Sequence, residues 1–563
     1  SYFKEDAGKL LIGAFETEAK PWGMDGIPED FCFDQLPDDF DHFQPILEGA
    51  LRRLPALENV GIQTFFNGPE SFTPDNRYHI GEAPGLTGLF VAAGLNSIGI
   101  QSAGGIGKVL AEWMRDGLPP MDLWTVDIRR NMPFQADPDY LRERVTETLG
   151  RLYAVHWPFY QPHTARGIRL SPFYDRLAKL GACFTEAQGW ERPGWFAPEG
   201  VDPEYVYSFK RQNWFEHSAA EHRAVREAVG MFDQTSFAKF ELQGQDAEAV
   251  LNRVSANDVA VEPGRIVYTQ WLNERGGIEA DLTVTRLNSD RYMIVTGVGT
   301  QVRDFQWLMR QIPDGADAKL TDITEDLAVL GVMGPASRAL LADVSDVDFS
   351  NGGFPFQTSK EIDLAGAQVR ASRITYVGEL GWELYIPLDG AVAVFEAILD
   401  AGKNHGLVPA GIHAMNSLRI EKAYRHWGDD IGDQDTPLEA GLSFAVGWDK
   451  PGGFIGFEAL SEQRRAGVKR RLVQFALEDP EPLLYGNEPI WRDGEIAGYI
   501  TSAMYGHTLG RAIGLGYVSN GNGNVDGDFI AVGTYDIEIT GRRFKAKASI
   551  KPLFDPKSER AKV

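Results

Sequence analysis

Apolar residues recur at helical spacing in two N-terminal segments. Residues 41–57 (DHFQPILEGALRRLPAL) carry them at steps of three and four, which predicts an amphipathic helix. Residues 137–152 predict another helix, with Asp137 as its N-cap and Pro138 at its first position. Residues 2–15, by contrast, have the composition of strands.

A strand, a glycine-rich turn and a helix are expected between these two helices. Residues 88–93 (GLFVAA) form a short apolar run bounded by glycines, which predicts a buried strand. The glycine cluster 94–107 follows it, and residues 108–115 (KVLAEWMR) predict an amphipathic helix.

The pattern changes after residue 214, where strands and helices alternate. Residues 263–287 predict a hairpin with its turn at 273–277, and residues 369–386 predict a second hairpin around 378–381. Residues 471–563 contain short strands separated by polar, glycine-containing turns, which predicts a small all-β barrel or sandwich. No internal repeat is visible.

Length and charge narrow the class of protein. A chain of 563 residues is long enough for about three to four domains, and 43% hydrophobic with 24% charged residues is typical of a globular protein. The formal net charge of -25 repels phosphate backbones and anionic lipid headgroups. Binding to nucleic acid or insertion into a membrane is therefore not expected.

The two cysteines indicate a reducing compartment, the cytoplasm or, in a eukaryote, the mitochondrial matrix. Cys32 and Cys183 lie 151 positions apart and form no CxxC pair, so both are expected to pack as small hydrophobic side chains. The uncharged stretch 83–107 is long enough to span a bilayer, but seven of its residues are glycine. It is better interpreted as a backbone-rich ligand site.

Common catalytic signatures are absent from the sequence. It has no phosphate-binding G-x-x-x-x-G-K-[ST] loop, no G-x-G-x-x-G after a strand and no G-x-S-x-G elbow. His217 and His222 flank Glu221 but not in the order of a zinc protease, so they are expected to be structural. Hydrolase and nucleoside-triphosphatase activities lose their support, and no metal site is predicted.

The glycine cluster has two interpretations. Glycines between a strand and a helix N-terminus let backbone N–H groups approach a flat or anionic ligand. They also allow a strand and a helix to pack closely. The residues alone do not choose between these two roles.

The glycine cluster and a later segment resemble parts of a known enzyme family. Residues 72–117 (FTPDNRYHIGEAPGLTGLFVAAGLNSIGIQSAGGIGKVLAEWMRDG) resemble the closing segment of the flavin domain in amine oxidoreductases of the sarcosine and dimethylglycine dehydrogenase family. Residues 165–196, which contain GWERPGWF, are similar to the cap segment of that family. The resemblance implies contacts with FAD at Gly94, Asn96, Ser97, Ile98 and Gly99. It also implies a substrate contact at Gln101 and an active-site tyrosine near Tyr2.

Three further strings resemble the folate-binding fold of glycine-cleavage aminomethyltransferases: YTQWLNERGGIEADLTV, RITYVGELGWELYIP and SLRIEKAYRHWGDDI. A reduced folate needs an aromatic wall, a carboxylate for its pterin ring and a cation for its glutamate tail. A further carboxylate near N5 and N10 assists proton transfer. The resemblance assigns that last role to Asp281, the pterin carboxylate to Glu383, ring contacts to Tyr268 and Tyr376, and the tail to Arg419.

Each of these folate residues also has a structural alternative. Tyr268 and Tyr376 lie in strand-like runs and could belong to the core. Arg419 could pair with Glu421 or Glu439.

The expected fold class is α+β multidomain: the C-terminal part of a glutathione-reductase-like FAD and substrate domain, then an aminomethyltransferase-like folate-binding fold with a small C-terminal β-barrel. The expected boundaries are 1–128 for the FAD portion, 129–200 for a connecting cap, 201–470 for the folate domain and 471–563 for the barrel.

The implied activity is oxidative N-demethylation of a small N-methyl amino acid by FAD, with the one-carbon unit passed to tetrahydrofolate as 5,10-methylenetetrahydrofolate. Sarcosine is the first choice of substrate and dimethylglycine the alternative; a non-catalytic regulatory subunit of the same architecture is a further alternative. An electron-transfer flavoprotein or oxygen is the expected electron acceptor. The family's opening G-x-G-x-x-G strand is absent, so a preceding segment or a partner chain is expected to supply it.

Overall fold

The chain forms two compact units that divide after Arg166. The computed structural model describes residues 2–521 and 523–563, and residues from Gly167 onward form the second unit. The division falls inside the predicted connecting cap, 129–200, and the four predicted boundaries stay a prediction.

The described residues of the first unit contain two small antiparallel sheets and three α-helices, together with short 3-10 turns. Its elements are β1 (Tyr2–Asp6), β2 (Lys9–Gly13), α1 (Phe40–Arg53), β3 (His79–Glu82), β4 (Phe90–Ala93), α2 (Gly99–Asp116) and α3 (Pro138–Gly150), with β1 paired to β2 and β3 to β4. Asp137 caps α3 as predicted, since its carboxylate accepts hydrogen bonds from the N–H groups of Asp139 and Tyr140.

Helix α2 begins nine residues before the predicted start at Lys108, so part of the glycine cluster is helical. Ile106, Leu110 and Trp113 share one face of α2 and bury it in a small core with Ile80. This apolar stripe stabilises the helix although glycine lowers its intrinsic propensity. A side chain at Gly104, Gly105 or Gly107 would meet open space, so close packing does not explain these three glycines.

Strand β4 is formed where a buried strand was predicted, but it is not buried. Ala92 and Ala93 are exposed, because β4 pairs with β3 in a two-stranded sheet. The apolar composition of residues 88–93 therefore predicted the strand conformation correctly but not the burial of the strand.

The second unit begins with a hairpin and two larger sheets. In chain order its elements up to residue 466 are α4 (Tyr174–Lys179), β5 (Ala182–Ala187), β6 (Trp190–Phe196), α5 (Phe215–Glu227), β7 (Val229–Asp233), β8 (Ala238–Gln243), α6 (Ala247–Val254), β9 (Ile266–Leu272), β10 (Ile278–Arg286), β11 (Arg291–Thr296), α7 (Gln301–Gln311), β12 (Lys319–Asp322), β13 (Leu327–Met333), α8 (Ser337–Asp343), β14 (Ser359–Leu364), β15 (Ala367–Ser372), β16 (Gly381–Pro387), α9 (Leu388–Gly402), β17 (Leu407–Pro409), α10 (Ile412–Glu421) and α11 (Phe457–Ala466).

Both predicted hairpins are present in these sheets. Strands β9 and β10 pair across the turn 273–277 in a five-stranded antiparallel sheet of order β12-β8-β11-β10-β9. Strands β15 and β16 pair in a six-stranded sheet of order β14-β15-β16-β13-β7-β17. Only one pair in this second sheet, β17 with β7, is parallel among the described strands.

The inner faces of the two sheets pack on one another. Met293 of β11 contributes to a buried cluster with Val329 of β13 and Tyr385 of β16. The outer face of the six-stranded sheet packs on α8 and α9, and the outer face of the five-stranded sheet packs on α6 and α7. Polar groups on the inner faces are therefore enclosed by two layers of core.

The predicted small barrel is present at the C-terminal end of the chain. Strands β18 (Arg470–Leu477), β19 (Pro489–Arg492), β20 (Glu495–Gly506), β21 (Arg511–Ser519), β22 (Tyr535–Ile539) and β23 (Arg542–Ser549) close it in the order β18-β21-β20-β19-β22-β23, accompanied by α12 (Gly527–Val532) and α13 (Glu559–Lys562). Among the described residues no helix is both long and apolar enough to cross a membrane.

The two cysteines differ in environment. Cys183 is buried, as predicted, but Cys32 is exposed, which contradicts its predicted packing. Residues 20–39 around Cys32 form irregular loop with little apolar cover.

Candidate functional site

A carboxylate lies on the inner face of the five-stranded sheet. Asp281 of β10 is directly opposite Gln270 of β9, and Gln270 Nε2 donates to Asp281 Oδ1 at 2.8 Å. Tyr268 lies two residues from Gln270 on the same strand face, and its hydroxyl group also hydrogen-bonds Asp281. Two side chains therefore hold Asp281 in one position.

Burial dominates the ionisation of this group. It raises the pKa of Asp281 above its ordinary value, and the hydrogen bonds from Gln270 and Tyr268 partly offset that rise. Burial and the nearby Asp281 charge together raise the pKa of Tyr268 well above its usual range. Asp281 is therefore a carboxylate whose proton affinity is increased, as proton transfer near neutral pH requires.

A second carboxylate lies on the facing sheet. Glu383 of β16 is buried, stands directly opposite Gly331 of β13 and accepts a hydrogen bond from the hydroxyl of Tyr385 at 2.6 Å. Burial raises the pKa of Glu383. The inter-sheet cluster contains Tyr385, so Glu383 and Asp281 project from the two sheet faces that pack together.

The loop before β16 and the loop after α10 contribute the other groups. The Tyr376 hydroxyl donates to the carbonyl of Arg425 at 2.9 Å. The charge of Asp281 acts on the pKa of Tyr376, and the charge of Arg425 acts on those of Tyr268 and Asp281. The structure therefore places Tyr268, Asp281 and Tyr376 close enough to influence one another's ionisation.

Arg419 of α10 is buried and pairs with neither of the two glutamates considered as its partners. Its Nη1 donates to Asp430 Oδ2 at 2.9 Å and to Ser502 Oγ at 3.1 Å. Its Nε is a buried donor without a partner among the described residues. The guanidinium therefore holds the loop after α10 through Asp430, and its Nε is buried without a hydrogen-bond partner among the described residues.

The predicted flavin contacts lie where the backbone leaves β4. Gly94, Asn96 and Ser97 have positive φ angles of 62°, 47° and 62°. The Asn96 side chain is buried and bonded to Thr73, whose N–H donates to Asn96 Oδ1 at 2.8 Å. The Ser97 hydroxyl donates to Glu70, so the side chains of Asn96 and Ser97 both hold the turn.

The start of α2 follows this turn. Ile98 is its N-cap residue and gives no side-chain hydrogen bond in the described structure, so the first-turn N–H groups keep no cap. Gly99 and Gln101 lie in this first turn, where Gln101 is exposed. An uncapped helix start after left-handed backbone suits a polar, flat ring system such as the isoalloxazine of FAD.

Tyr2 lies at the start of β1, half exposed, with its ring against Gly13 of β2. It lies in the same unit as the predicted flavin contacts. Its predicted catalytic role stays a prediction.

Two residues of the folate-type site were not singled out from the sequence. Gln270 could have been found by strand alternation, because it lies two positions after Tyr268 and shares its face. Arg425 gave no such signal, since its proximity to Asp281 depends on the path of the loop after α10. Among the described residues, no group of three or more His, Cys, Asp or Glu side chains could hold a metal ion.

Family models match nearly the whole chain. They are FAD dependent oxidoreductase at residues 1–113, FAD dependent oxidoreductase central domain at 116–171, GCVT N-terminal domain at 173–450 and glycine cleavage T-protein C-terminal barrel domain at 470–555. The third match ends before the barrel, and the fourth covers all six barrel strands.

Curated relatives align over the same extent. The 4-methylaminobutanoate oxidase (formaldehyde-forming) of Paenarthrobacter nicotinovorans is 44% identical over 99% of this chain and 67% of its own length. The mitochondrial sarcosine dehydrogenase of Homo sapiens is 39% identical over 100% of this chain and 65% of its own length. The chain thus spans about two thirds of the length of these relatives.

A solved structure is similar to more than half of the chain. The glycine cleavage system aminomethyltransferase T from Bartonella henselae covers 69% of this chain and 99% of its own, with a TM-score of 0.58 and 25% sequence identity.

Proposed function

We propose that this chain, which belongs to the family of FAD-dependent sarcosine and dimethylglycine dehydrogenases with an aminomethyltransferase-like region, carries out oxidative N-demethylation of a small N-methylamino acid. FAD would accept a hydride from the N-methyl carbon, and tetrahydrofolate would take up the resulting one-carbon unit. The observation that carries the proposal is the partly buried Asp281, held by Gln270 and Tyr268, in a chain that also has a flavin-type region.

In this proposal Asp281 holds and releases the proton at N5 or N10 of the folate. Its raised pKa suits that exchange, and Gln270 keeps Oδ1 pointed in one direction. Glu383 accepts from the ring N–H groups of the pterin, and Tyr268 and Tyr376 line its rings. Arg419 is proposed to bind the glutamate tail.

In the first unit, the backbone from Gly94 to Gly99 would lie against the flavin ring, with Asn96 holding the turn through Thr73. Gln101 is proposed to contact the substrate carboxylate and Tyr2 the reacting amine. The electron acceptor is proposed to be an electron-transfer flavoprotein or oxygen, and the compartment the cytoplasm or mitochondrial matrix.

The substrate class includes sarcosine, dimethylglycine and 4-methylaminobutanoate, and we place sarcosine first. The natural protein, purified with its flavin, is mixed anaerobically with each amine, and bleaching of the flavin absorbance is recorded. Rapid bleaching by at least one amine is expected. Failure of all three, in a folded and flavin-loaded protein, overturns the catalytic proposal and favours a non-catalytic regulatory subunit.

The fate of the carbon is tested separately. With tetrahydrofolate present, 5,10-methylenetetrahydrofolate is expected to replace formaldehyde as the product. Formaldehyde in full yield at saturating tetrahydrofolate would contradict the folate half of the proposal and leave the oxidation intact.

A further inference from the structure

Gln234 carries a buried side-chain amide that is not hydrogen-bonded in the described part of the chain. It follows the last residue of β7 directly, its side chain is almost fully buried, and neither Nε2 nor Oε1 has a hydrogen-bond partner among the described residues. Burying an unpaired amide costs free energy that folding must offset. A bound ligand with both a hydrogen-bond donor and an acceptor would satisfy this unpaired amide.

The amide lies on the sheet face that carries Glu383. A Cβ atom added to Gly331 would lie 2.5 Å from Gln234 Oε1, so the amide occupies the space that this glycine leaves. Gly331 pairs directly with Glu383 on one side and with Phe232 on the other. Directly opposed residues of antiparallel strands project to the same face, about 5 Å apart. Gln234 and Glu383 are therefore neighbours on the inner face of the six-stranded sheet.

The two groups have complementary chemistry. An ionised carboxylate only accepts hydrogen bonds, whereas a primary amide both donates and accepts. The pyrimidinone edge of a reduced pterin carries N–H donors beside a ring carbonyl at C4. The Glu383 carboxylate can accept hydrogen bonds from these N–H groups, but in its charged form it cannot donate one to the ring carbonyl.

We infer that Gln234 is a specificity-determining residue that reads the pterin ring carbonyl, beside Glu383. This inference rests on the folate half of the proposed function. The amide N–H donates to O4, and the orphaned Oε1 accepts from a ring or amino N–H. Gly331 is required because any side chain there would displace the amide.

The test measures folate binding and stability together in Gln234→Met. Affinity of the full protein for 5-formyltetrahydrofolate, measured by calorimetry, is expected to fall about ten-fold, as for the loss of one or two buried hydrogen bonds. The free energy of unfolding without ligand is expected to rise, because the variant removes an unpaired amide. A purely structural glutamine would give the reverse: lower stability and unchanged affinity.

A matched pair of probes tests the carbonyl itself. Folic acid and aminopterin differ at C4, which bears a carbonyl in one and an amino group in the other. The unaltered protein is expected to prefer folic acid, and Gln234→Met is expected to lose that preference. Gly331→Ala, which displaces the amide without removing it, is expected to reproduce the loss.

The control is Gln474→Met in the barrel. Gln474 is equally buried, but its Nε2 donates to the carbonyls of Ile420 and Glu421, and its Oε1 accepts from Leu553 N–H. This variant should lose stability and keep the C4 preference. Equal affinity and preference in the unaltered protein and Gln234→Met overturn the inference alone, whereas no binding of any folate to the unaltered protein overturns the folate proposal with it.

Discussion

Gln270 and Asp281 face one another across a hairpin, and the amide nitrogen of Gln270 donates to the Asp281 carboxylate at 2.8 Å. Both residues belong to regular strands, so their separation is fixed by the register of the sheet. Tyr268, on the same face, gives the second bond. The carboxylate is thus oriented before any ligand arrives, which is the arrangement that efficient proton transfer requires.

Asp281→Asn is expected to reduce formation of 5,10-methylenetetrahydrofolate by about 10²- to 10⁴-fold, the usual contribution of a general acid or base. Flavin reduction by the amine should be unchanged, so formaldehyde should accumulate instead. The two products are measured in one assay. Asp389→Asn, at an exposed position in the first turn of α9, serves as the control and should change neither product.

Asp281→Asn is not expected to destabilise the folded protein. Because burial raises the folded-state pKa of Asp281 above 3.8, its stabilising effect is present below that pH and is lost as the pH rises through the folded-state pKa. The ionised form of Asp281 is the form that burial disfavours in the folded protein. Asp281→Asn should therefore match or exceed the parent in urea unfolding at pH 7, and a large loss of stability would contradict this assignment.

Tyr268→Phe removes a hydrogen bond that lowers the pKa of Asp281. The pKa of Asp281 should rise further, and the acid limb of the pH profile for folate-dependent product formation should move to higher pH. Tyr292→Phe is the control, since its hydroxyl bonds Glu248 on the opposite face of the sheet. An unshifted profile in Tyr268→Phe would show that Asp281 does not control this step.

Asp430→Asn leaves Arg419 charged and buried without its counter-ion. Breaking a buried pair in this way typically costs about 3–5 kcal/mol. The matched control is Asp400→Asn, which breaks an exposed pair with Lys403 of similar length and should cost far less stability. The free energy of unfolding of both variants is measured in urea. Equal losses of stability in the two variants would contradict the structural role of the ion pair between Arg419 and Asp430.

Glu221 predicts a pH-dependent stability. Its carboxylate accepts from Phe196 N–H at 2.7 Å and Gly411 N–H at 2.8 Å, yet burial raises its pKa to about 8 from 4.5. Its contribution is fully present below 4.5 and falls by up to about 1.4 kcal/mol per pH unit as the pH rises toward 8. Glu221→Gln should therefore lose less stability than the parent between pH 5 and pH 8.

The control for this comparison is Glu216→Gln, at an exposed position in the first turn of α5. Its difference from the parent should be the same at both pH values. A Glu221→Gln protein that tracks the parent across the range would show that this carboxylate is ionised throughout.

Local sequence patterns predicted the strands and hairpins that carry the site. Turn chemistry at 273–277 and alternation in β9 and β10 fixed the hairpin, and the order of the three folate-type strings identified the fold class and family, which the comparisons confirm. Alternation of apolar and polar residues predicts strands well because each strand buries one of its two faces.

The misses have a common physical cause. Helix α2 extends back to Gly99 because Ile106, Leu110 and Trp113 pack against other elements, which outweighs the low propensity of the glycines. Gln234 could not be found from the sequence because its environment is set by Gly331, almost a hundred positions away. Long-range packing, unlike alternation, leaves no local pattern.

Asp430 joins two parts of the chain that family models treat separately. It accepts from Arg419 of α10 and from Thr501 and Ser502 of the barrel strand β20. A barrel exchanged for one without these two hydroxyl groups would leave a buried carboxylate oxygen unsatisfied at the base of the loop. A substitution in the loop after α10 at Asp430 therefore affects the barrel strand as well. A protein designer who transfers the barrel to another protein must transfer this loop with it.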